Sequence, residues 1–558
     1  MLLTVVHAAG LLGARLLRLA TGLLALSVIV FVLLRVVPGD VAGAIVGRDA
    51  ERAAPETQRE IERIQGALDL DRSLPEQYLL WITGPGRGDL GQGLWSRVPV
   101  FDEIRLASLK TAELVLLAAG VAAVLGVPLG LFGVRSGRYR WLPRLVALAG
   151  ASFPAFWTGM MLFLGCLFWF NWVPNLDYRG LFREPWQNLQ LYLLPSLALG
   201  LGMTGPVMGV VYCCRSSIGG GAEKATRWKP VRWLEVSNPS GLVAGFLATA
   251  VLLEVVFAIP GLGWLMARAV LERDLPTLQW LLLLFGALGW VLPGGRAGLP
   301  GPPAGMWSMA CAGRIPTALG LVLVVGVAVG AVAGPWLTPF EPSRMDVGQR
   351  LLPPGLTHPL GSDDFGRDLL ARLLEGGRVS LLTGALAAAV GVAAGAAAVW
   401  LEGRPPRSGA RLVRTIVDLL SAFPPVILAM AVISMVGPTL LSVGLSVALV
   451  LVPGTARSLA REDRAWGLPS APARLAVLAP VGTAALAQAI LLEAHLSFLG
   501  LGPSPQGSTW GSLLGAYGPR LFEAAPWLAV FPGLAIGVTV LAFNLLSGAL
   551  ASWAEDRR

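Results

Sequence analysis

The sequence predicts an all-α membrane protein built as two parallel six-helix repeats, with about twelve transmembrane helices. Hydrophobic residues fill 55% of the 558 positions and charged residues only 14%, with a mean hydropathy of +0.67. A water-soluble domain carries about a quarter of its residues as charges. Apolar runs near the ~20 residues that cross a bilayer recur along the whole chain. One phrase also occurs twice. Leu252-Leu253-Glu254 is followed by six residues and Gly261-Leu262-Gly263, and Leu491-Leu492-Glu493 by six residues and Gly500-Leu501-Gly502. A carboxylate costs about 2.5–3.5 kcal/mol at the centre of a membrane helix, so its recurrence in one context marks the duplication of a whole half.

The runs fall at 16–37, 111–134, 145–170, 190–213, 241–259 and 276–293, then at 315–336, 379–400, 412–436, 438–453, 472–492 and 527–547. The first is too long, and lacks the small-residue cleavage site, to be a removed signal peptide, so it reads as a retained span. Residues 294–305, Pro-Gly-Gly-Arg-Ala-Gly-Leu-Pro-Gly-Pro-Pro-Ala, read as a linker. The expected division is therefore a first half at 1–293, a linker at 294–313 and a second half at 314–558. Six spans return the chain to its starting side, which makes the repeats parallel and not inverted.

The net charge of +9 is not spread as a nucleic-acid surface would be. Arg135, Arg138, Arg140 and Arg144 crowd one short loop, and Arg404, Arg407, Arg411 and Arg414 crowd its counterpart. Arg215, Lys224, Arg227, Lys229 and Arg232 lie in a second loop, matched by Arg457, Arg461, Arg464 and Arg474. With Arg15 and Arg18, all fall on one side. This positive-inside pattern predicts both termini in the cytoplasm and membrane lipid, not nucleic acid, as the partner of the charge. The cysteines (Cys166, Cys213, Cys214, Cys311) lie in or beside apolar runs and predict no disulfide, and the dispersed His7, His358 and His495 predict no metal site. No cofactor is expected.

Each half has a long outer loop, 38–110 and 337–378, the first with a helix expected near 55–68. Loops of this length are uncommon without a function, and docking of an extracytoplasmic partner is one. The motifs sit here and in the spans that follow. In the first half they are Leu68-Asp69-Leu70-Asp71, Gly88-Asp89-Leu90-Gly91, Pro99-Val100-Phe101-Asp102-Glu103-Ile104, Thr111-Ala112-Glu113-Leu114, Ser152-Phe153-Pro154 and Glu254 through Gly263. In the second they are His358-Pro359-Leu360-Gly361-Ser362-Asp363-Asp364-Phe365-Gly366-Arg367-Asp368, Gly377-Arg378-Val379-Ser380-Leu381, Ala422-Phe423-Pro424 and Leu492 through Gly502. The first set resembles one permease subunit of bacterial ABC importers for dipeptides, oligopeptides and nickel, and the second resembles its partner subunit. Two subunits that are normally separate stand in one chain.

The resemblance implies a type I ABC importer permease in the bacterial cytoplasmic membrane, forming a pathway for peptides or for nickel and its chelates by alternating access. It implies an extracytoplasmic substrate-binding protein and two cytoplasmic ATP-binding subunits as partners. The chain has no phosphate-binding Gly-rich loop ending in Lys-Ser/Thr, so no enzymatic activity and no catalytic residue is expected in it. The coupling loops depart from the family pattern. Glu223 and Ala225 remain in the first half, with Arg227 beside them, but Lys229 stands where a Gly is expected; Gly467 and Pro480 remain in the second. Eroded loops leave a second reading, a non-transporting membrane scaffold or sensor derived from such a permease. Glu254 and Glu493 are read as structural groups that satisfy backbone N–H at the turns of Gly261, Gly263, Gly500 and Gly502, with contact to a cationic substrate group as the alternative.

Overall fold

A computed structural model describes the chain except residues 1, 36–58, 60–61, 64, 67–71, 136–140, 175–177, 179, 181–182, 219–238, 292–313, 404–406, 467–470, 504–507, 518 and 557–558. The first half contains α1 (Leu2–Leu33), α2 (Leu74–Thr83), α3 (Val100–Arg135), α4 (Trp141–Ser152), α5 (Ala155–Phe170), α6 (Pro185–Ile218), α7 (Pro239–Val256), α8 (Leu262–Leu271) and α9 (Leu275–Val291). The second contains α10 (Arg314–Leu337), α11 (Leu369–Glu402), α12 (Arg407–Leu420), α13 (Pro425–Val436), α14 (Leu440–Trp466), α15 (Ala471–Phe498), α16 (Trp510–Gly515), α17 (Pro519–Ala524) and α18 (Trp527–Asp556). Among the described residues there is no strand, only two isolated bridges. The fold is an all-α membrane fold. Among the described residues, seven helices are long and apolar enough to cross a bilayer, or nine if each of two bent pairs counts as one span. The shorter apolar helices α1, α7 and α9 stand where the remaining spans are expected.

The order of elements repeats. In each half the second span packs along the fourth (α3 on α6, α11 on α14) and the first along the last (α1 on α9, α10 on α18). Two boundaries differ from the expectation. The second spans begin at Val100 and Leu369, not at 111 and 379, because each helix starts directly from an outer turn. Asp368 starts α11 by accepting the Ala371 N–H at 2.7 Å. Helices of 36 and 34 residues rise about 50 Å, well past the ~30 Å hydrocarbon core, so their first turns stand outside it.

The third span of each half is broken, which hydropathy did not reveal. The α4–α5 pair bends by 101° and the α12–α13 pair by 96°. Proline is the cause: Pro154 and Pro424 have no N–H and hold the preceding phenylalanine out of helical geometry. Both prolines sit in extended backbone as the N-caps of the next helix. Exposed Trp169 and Phe170 at the end of α5, Trp186 at the start of α6 and Trp336 at the end of α10 suit the aromatic belt of a membrane interface.

Candidate functional site: the buried glutamates and the outer turns

Glu254 is fully buried two residues before the end of α7. One carboxylate oxygen accepts the Thr111 hydroxyl of α3 at 2.6 Å. The other accepts the N–H groups of Gly263 and Trp264 at 2.7 and 3.1 Å. The Thr111 oxygen itself accepts the Leu262 N–H at 2.8 Å. Three of the orphan N–H groups at the start of α8 are thus satisfied by two side chains from other helices. Gly261 and Gly263 make the room: a Cβ on Gly261 would overlap the Glu254 carboxylate, and one on Gly263 would stand 3.0 Å from its oxygen.

Glu493 has the same neighbours in sequence and a different setting. α7 ends before its Gly-Leu-Gly, with Ala258 at φ +51°. α15 runs about a turn further past its glutamate, and Gly500 at φ +82° ends it. In the first half the phrase starts the next helix; in the second it finishes the previous one. α16 begins only at Trp510 and is capped by its own Thr509, whose hydroxyl accepts the Ser512 N–H at 3.1 Å while the Ser512 hydroxyl accepts the Thr509 N–H at 2.8 Å. Ser380, the counterpart of Thr111, accepts the Trp510 N–H at 3.3 Å. Glu493 accepts the Ser497 hydroxyl on one oxygen; its other oxygen makes no hydrogen bond of ordinary geometry, and the Ser380 and Thr509 hydroxyls also act on the carboxyl.

The outer turns repeat more closely. Gly91 and Gly361 lie at φ +80° and +84°. Their carbonyls accept the N–H of Val100 and Leu369, each at 3.0 Å, which ties the turn to the start of the second span. An indole from the last span holds each turn from the side: Trp280 donates to the Leu90 carbonyl at 2.9 Å, and Trp527 to that of Ser362 at 3.1 Å. The second turn adds charge. Asp363 is fully buried and accepts the N–H of Phe365 and Arg367 at 2.9 Å, the Arg367 guanidinium at 2.7 Å, the Arg372 guanidinium, and the Tyr517 hydroxyl at 3.1 Å. His358 Nδ1 lies 2.8 Å from Asp368, and its Nε2 meets Gln349.

Burial alone would raise the pKa of Asp363, but the Arg367 N–H and the two guanidiniums outweigh it and hold the carboxyl below its usual range. The stabilisation is then fully present above the unfolded value near 3.9 and is lost as pH falls through the lowered folded value. Trp527 fluorescence should hold steady from neutrality to about pH 4 and change below it. Asp363→Asn should remove that acid transition; a transition that persists unchanged in the variant would assign it to another group.

Of the other residues singled out in the sequence, Glu223, Ala225, Arg227 and Gly467 lie outside the described residues. Pro480 lies inside α15, where its carbonyl accepts the Ser547 hydroxyl of α18 at 2.8 Å. Gly502 lies beyond the end of α15, and a Cβ there would stand 2.7 Å from the Ser497 oxygen. Thr111, Ser380, Arg372 and Tyr517 were not singled out as site residues. Thr111 and Ser380 carried a signal, being hydroxyls at the head of the second apolar run in both halves. Arg372 and Tyr517 are brought to Asp363 by folding alone.

No family model matches the chain. A putative peptide transport system permease protein of Brucella suis biovar 1 is 36% identical over 263 residues, 43% of this chain and 87% of the relative. A di/tripeptide transport system permease protein of Pseudomonas aeruginosa is 32% identical over 260 residues, 41% of this chain and 84% of the relative. The chain belongs to the peptide-transport permease family of ABC importers. A third permease, the glutathione transport system permease protein of Escherichia coli O6:H1, is 32% identical over 292 residues, 49% of this chain and 90% of the relative. As a permease of this family, the chain is a multi-pass membrane protein. Each of these relatives is nearly spanned by less than half of this permease.

Proposed function

We propose that this chain supplies both permease halves of an ATP-driven peptide importer in one polypeptide, 1–293 and 314–558 joined by the linker 294–313. The observation that carries the proposal is coverage: 84–90% of a relative corresponds to 41–49% of this chain, and the element order of the fold runs through twice. The relatives' names speak of peptides, dipeptides and glutathione, which favours peptides over nickel as cargo. The halves open alternately outward and inward around a central pathway. A binding protein delivers substrate at the outer turns, and two ATP-binding subunits work at the cytoplasmic loops, where both termini also lie. The buried glutamates and their glycine turns hold the outer ends of the fifth spans.

The test is reconstitution. The chain, with ATP-binding subunits and a peptide-binding protein from the same genome, is placed in proteoliposomes and given labelled di- and tripeptides. Uptake that needs ATP and the binding protein supports the reading. If no ATP-binding subunit associates and ATP hydrolysis is not stimulated, the scaffold or sensor reading replaces it.

A further inference from the structure

The two broken third spans do more than interrupt a helix. Each break docks on the last span of the other half. In one contact, Phe153 and Trp157, stacked at 5.3 Å, cover Gly533 and Gly537 of α18. The Trp157 indole N–H donates to the Ala529 carbonyl at 2.8 Å. A Cβ on either glycine would overlap those rings. In the other contact, Ala422 covers Gly289 of α9, and Phe423 shares the space over Gly286 with Leu26 of α1. A Cβ on Gly286 would stand 3.0 Å from the Phe423 ring, and one on Gly289 would overlap the Ala422 backbone carbonyl.

Both contacts set a third span on the last span of the other half, with the halves exchanged, although different side chains meet the glycines in each. That is an isologous interface, whose off-axis contacts fall in pairs on opposite sides of the pseudo-two-fold axis. Depth can be read from the outer turns. α18 starts at Trp527, which holds the Ser362 turn, and α9 starts after Asp274, which accepts the Leu94 N–H at 3.1 Å. At ~1.5 Å per residue, Gly533 and Gly537 lie about 9 and 15 Å along α18, and Gly286 and Gly289 about 16 and 21 Å along α9. Both contacts therefore lie inside the spans, about two to four turns from their outer starts.

We infer that these two Phe-Pro breaks are the pivots on which the halves rock, and that they stay closed throughout the cycle. The inference rests on the transport reading above. Two contacts inside the spans, flanking the axis, define a line about which the outer and inner ends open in turn, with the substrate passing between them. The contacts are suited to hold and not to open. Rings are seated in glycine notches, and Gly289 meets backbone, which no side-chain rotation can swing aside. Small residues allow this close approach of membrane helices. Each break also joins two straight helices at a proline that supplies no N–H across the joint, the local feature at which a helix pair flexes.

The experiment is a covalent pin. A Cβ on Gly537 would stand 3.1 Å from Phe153 Cγ, the place that a cysteine sulfur at 153 would take. F153C and G537C are combined in a chain whose Cys166, Cys213, Cys214 and Cys311 are serine, with a protease site inserted within 294–313. After oxidation and proteolysis, halves that stay joined on a non-reducing gel report the disulfide. The expected result is a disulfide that forms at the same rate, within twofold, with and without ATP–vanadate trapping, and peptide uptake within twofold of the reduced sample. A tenfold loss of uptake on oxidation, restored by reductant, would make the contact a gate and overturn the inference. So would a folded variant in which no disulfide forms, or one whose oxidation is suppressed by trapping. If the reduced parent shows no uptake at all, the importer reading fails, and the cross-linking rate still tests whether the contact stays closed.

Discussion

Glu254→Leu is expected to cost most of the stability of the first half, and Glu493→Gln almost none. Removing the Glu254 carboxylate leaves the N–H groups of Gly263 and Trp264 and the Thr111 hydroxyl without an acceptor in a buried site. Each orphaned group costs about 1–3 kcal/mol, and together they approach the ~5 kcal/mol at the lower end of ordinary protein stability. Glu254→Gln keeps the shape but turns an amide NH₂ toward donors, so an intermediate loss of about 2 kcal/mol is expected. Glu493 is held by hydroxyls, which can turn to accept from an amide, so Glu493→Gln should cost less than about 1 kcal/mol. Thermal unfolding of the purified chain in detergent, followed by the monodisperse fraction, ranks the three variants. Equal losses for Glu254→Gln and Glu493→Gln would show that the duplicated carboxylates do the same work.

Asp363→Ala should be the second large loss. It strips a fully buried carboxylate from Arg372, whose side chain is only 10% exposed, and from Tyr517 and Arg367. Breaking one partner of a buried ion pair costs about 3–5 kcal/mol, because the remaining charge keeps its desolvation penalty. Replacing both partners, Asp363→Leu with Arg372→Met, should recover much of that loss, since a well-packed apolar pair is often neutral. Limited proteolysis of the outer loop at 337–368 reads the local effect. A double variant as labile as Asp363→Ala would show that the backbone N–H bonds of Phe365 and Arg367, and not the buried pair, carry the turn.

Much of the architecture was legible because it rests on local or periodic signals. Apolar runs at 190–213 and 527–547 lie within α6 and α18, and the repeated motifs fell at equivalent turns. Of the glycines read as turn residues, Gly500 has a positive φ; Gly91 and Gly361, which also do, stood in the sequence only as members of motifs. The broken third spans were not legible from hydropathy. The runs 145–170 and 412–436 are apolar through the break, and a window average does not register one proline. Ser152-Phe153-Pro154 and Ala422-Phe423-Pro424 were visible as a match between halves, but a match says nothing about angle.

The repeated Leu-Leu-Glu…Gly-Leu-Gly phrase marks where sequence stops and tertiary structure begins. By itself the sequence determined an all-α membrane fold and showed a repeated phrase, since these follow from composition and spacing. It did not determine what the phrase does. The same residues start α8 in the first half and end α15 in the second, because α15 runs about a turn longer and α16 brings its own Thr509 cap. Which acceptor a buried N–H finds depends on which helices meet there, and that is decided by packing between segments far apart in the chain. The same holds for the contacts between halves: glycines at 286, 289, 533 and 537 are unremarkable in sequence, and only the fold sets the other half's broken span against them.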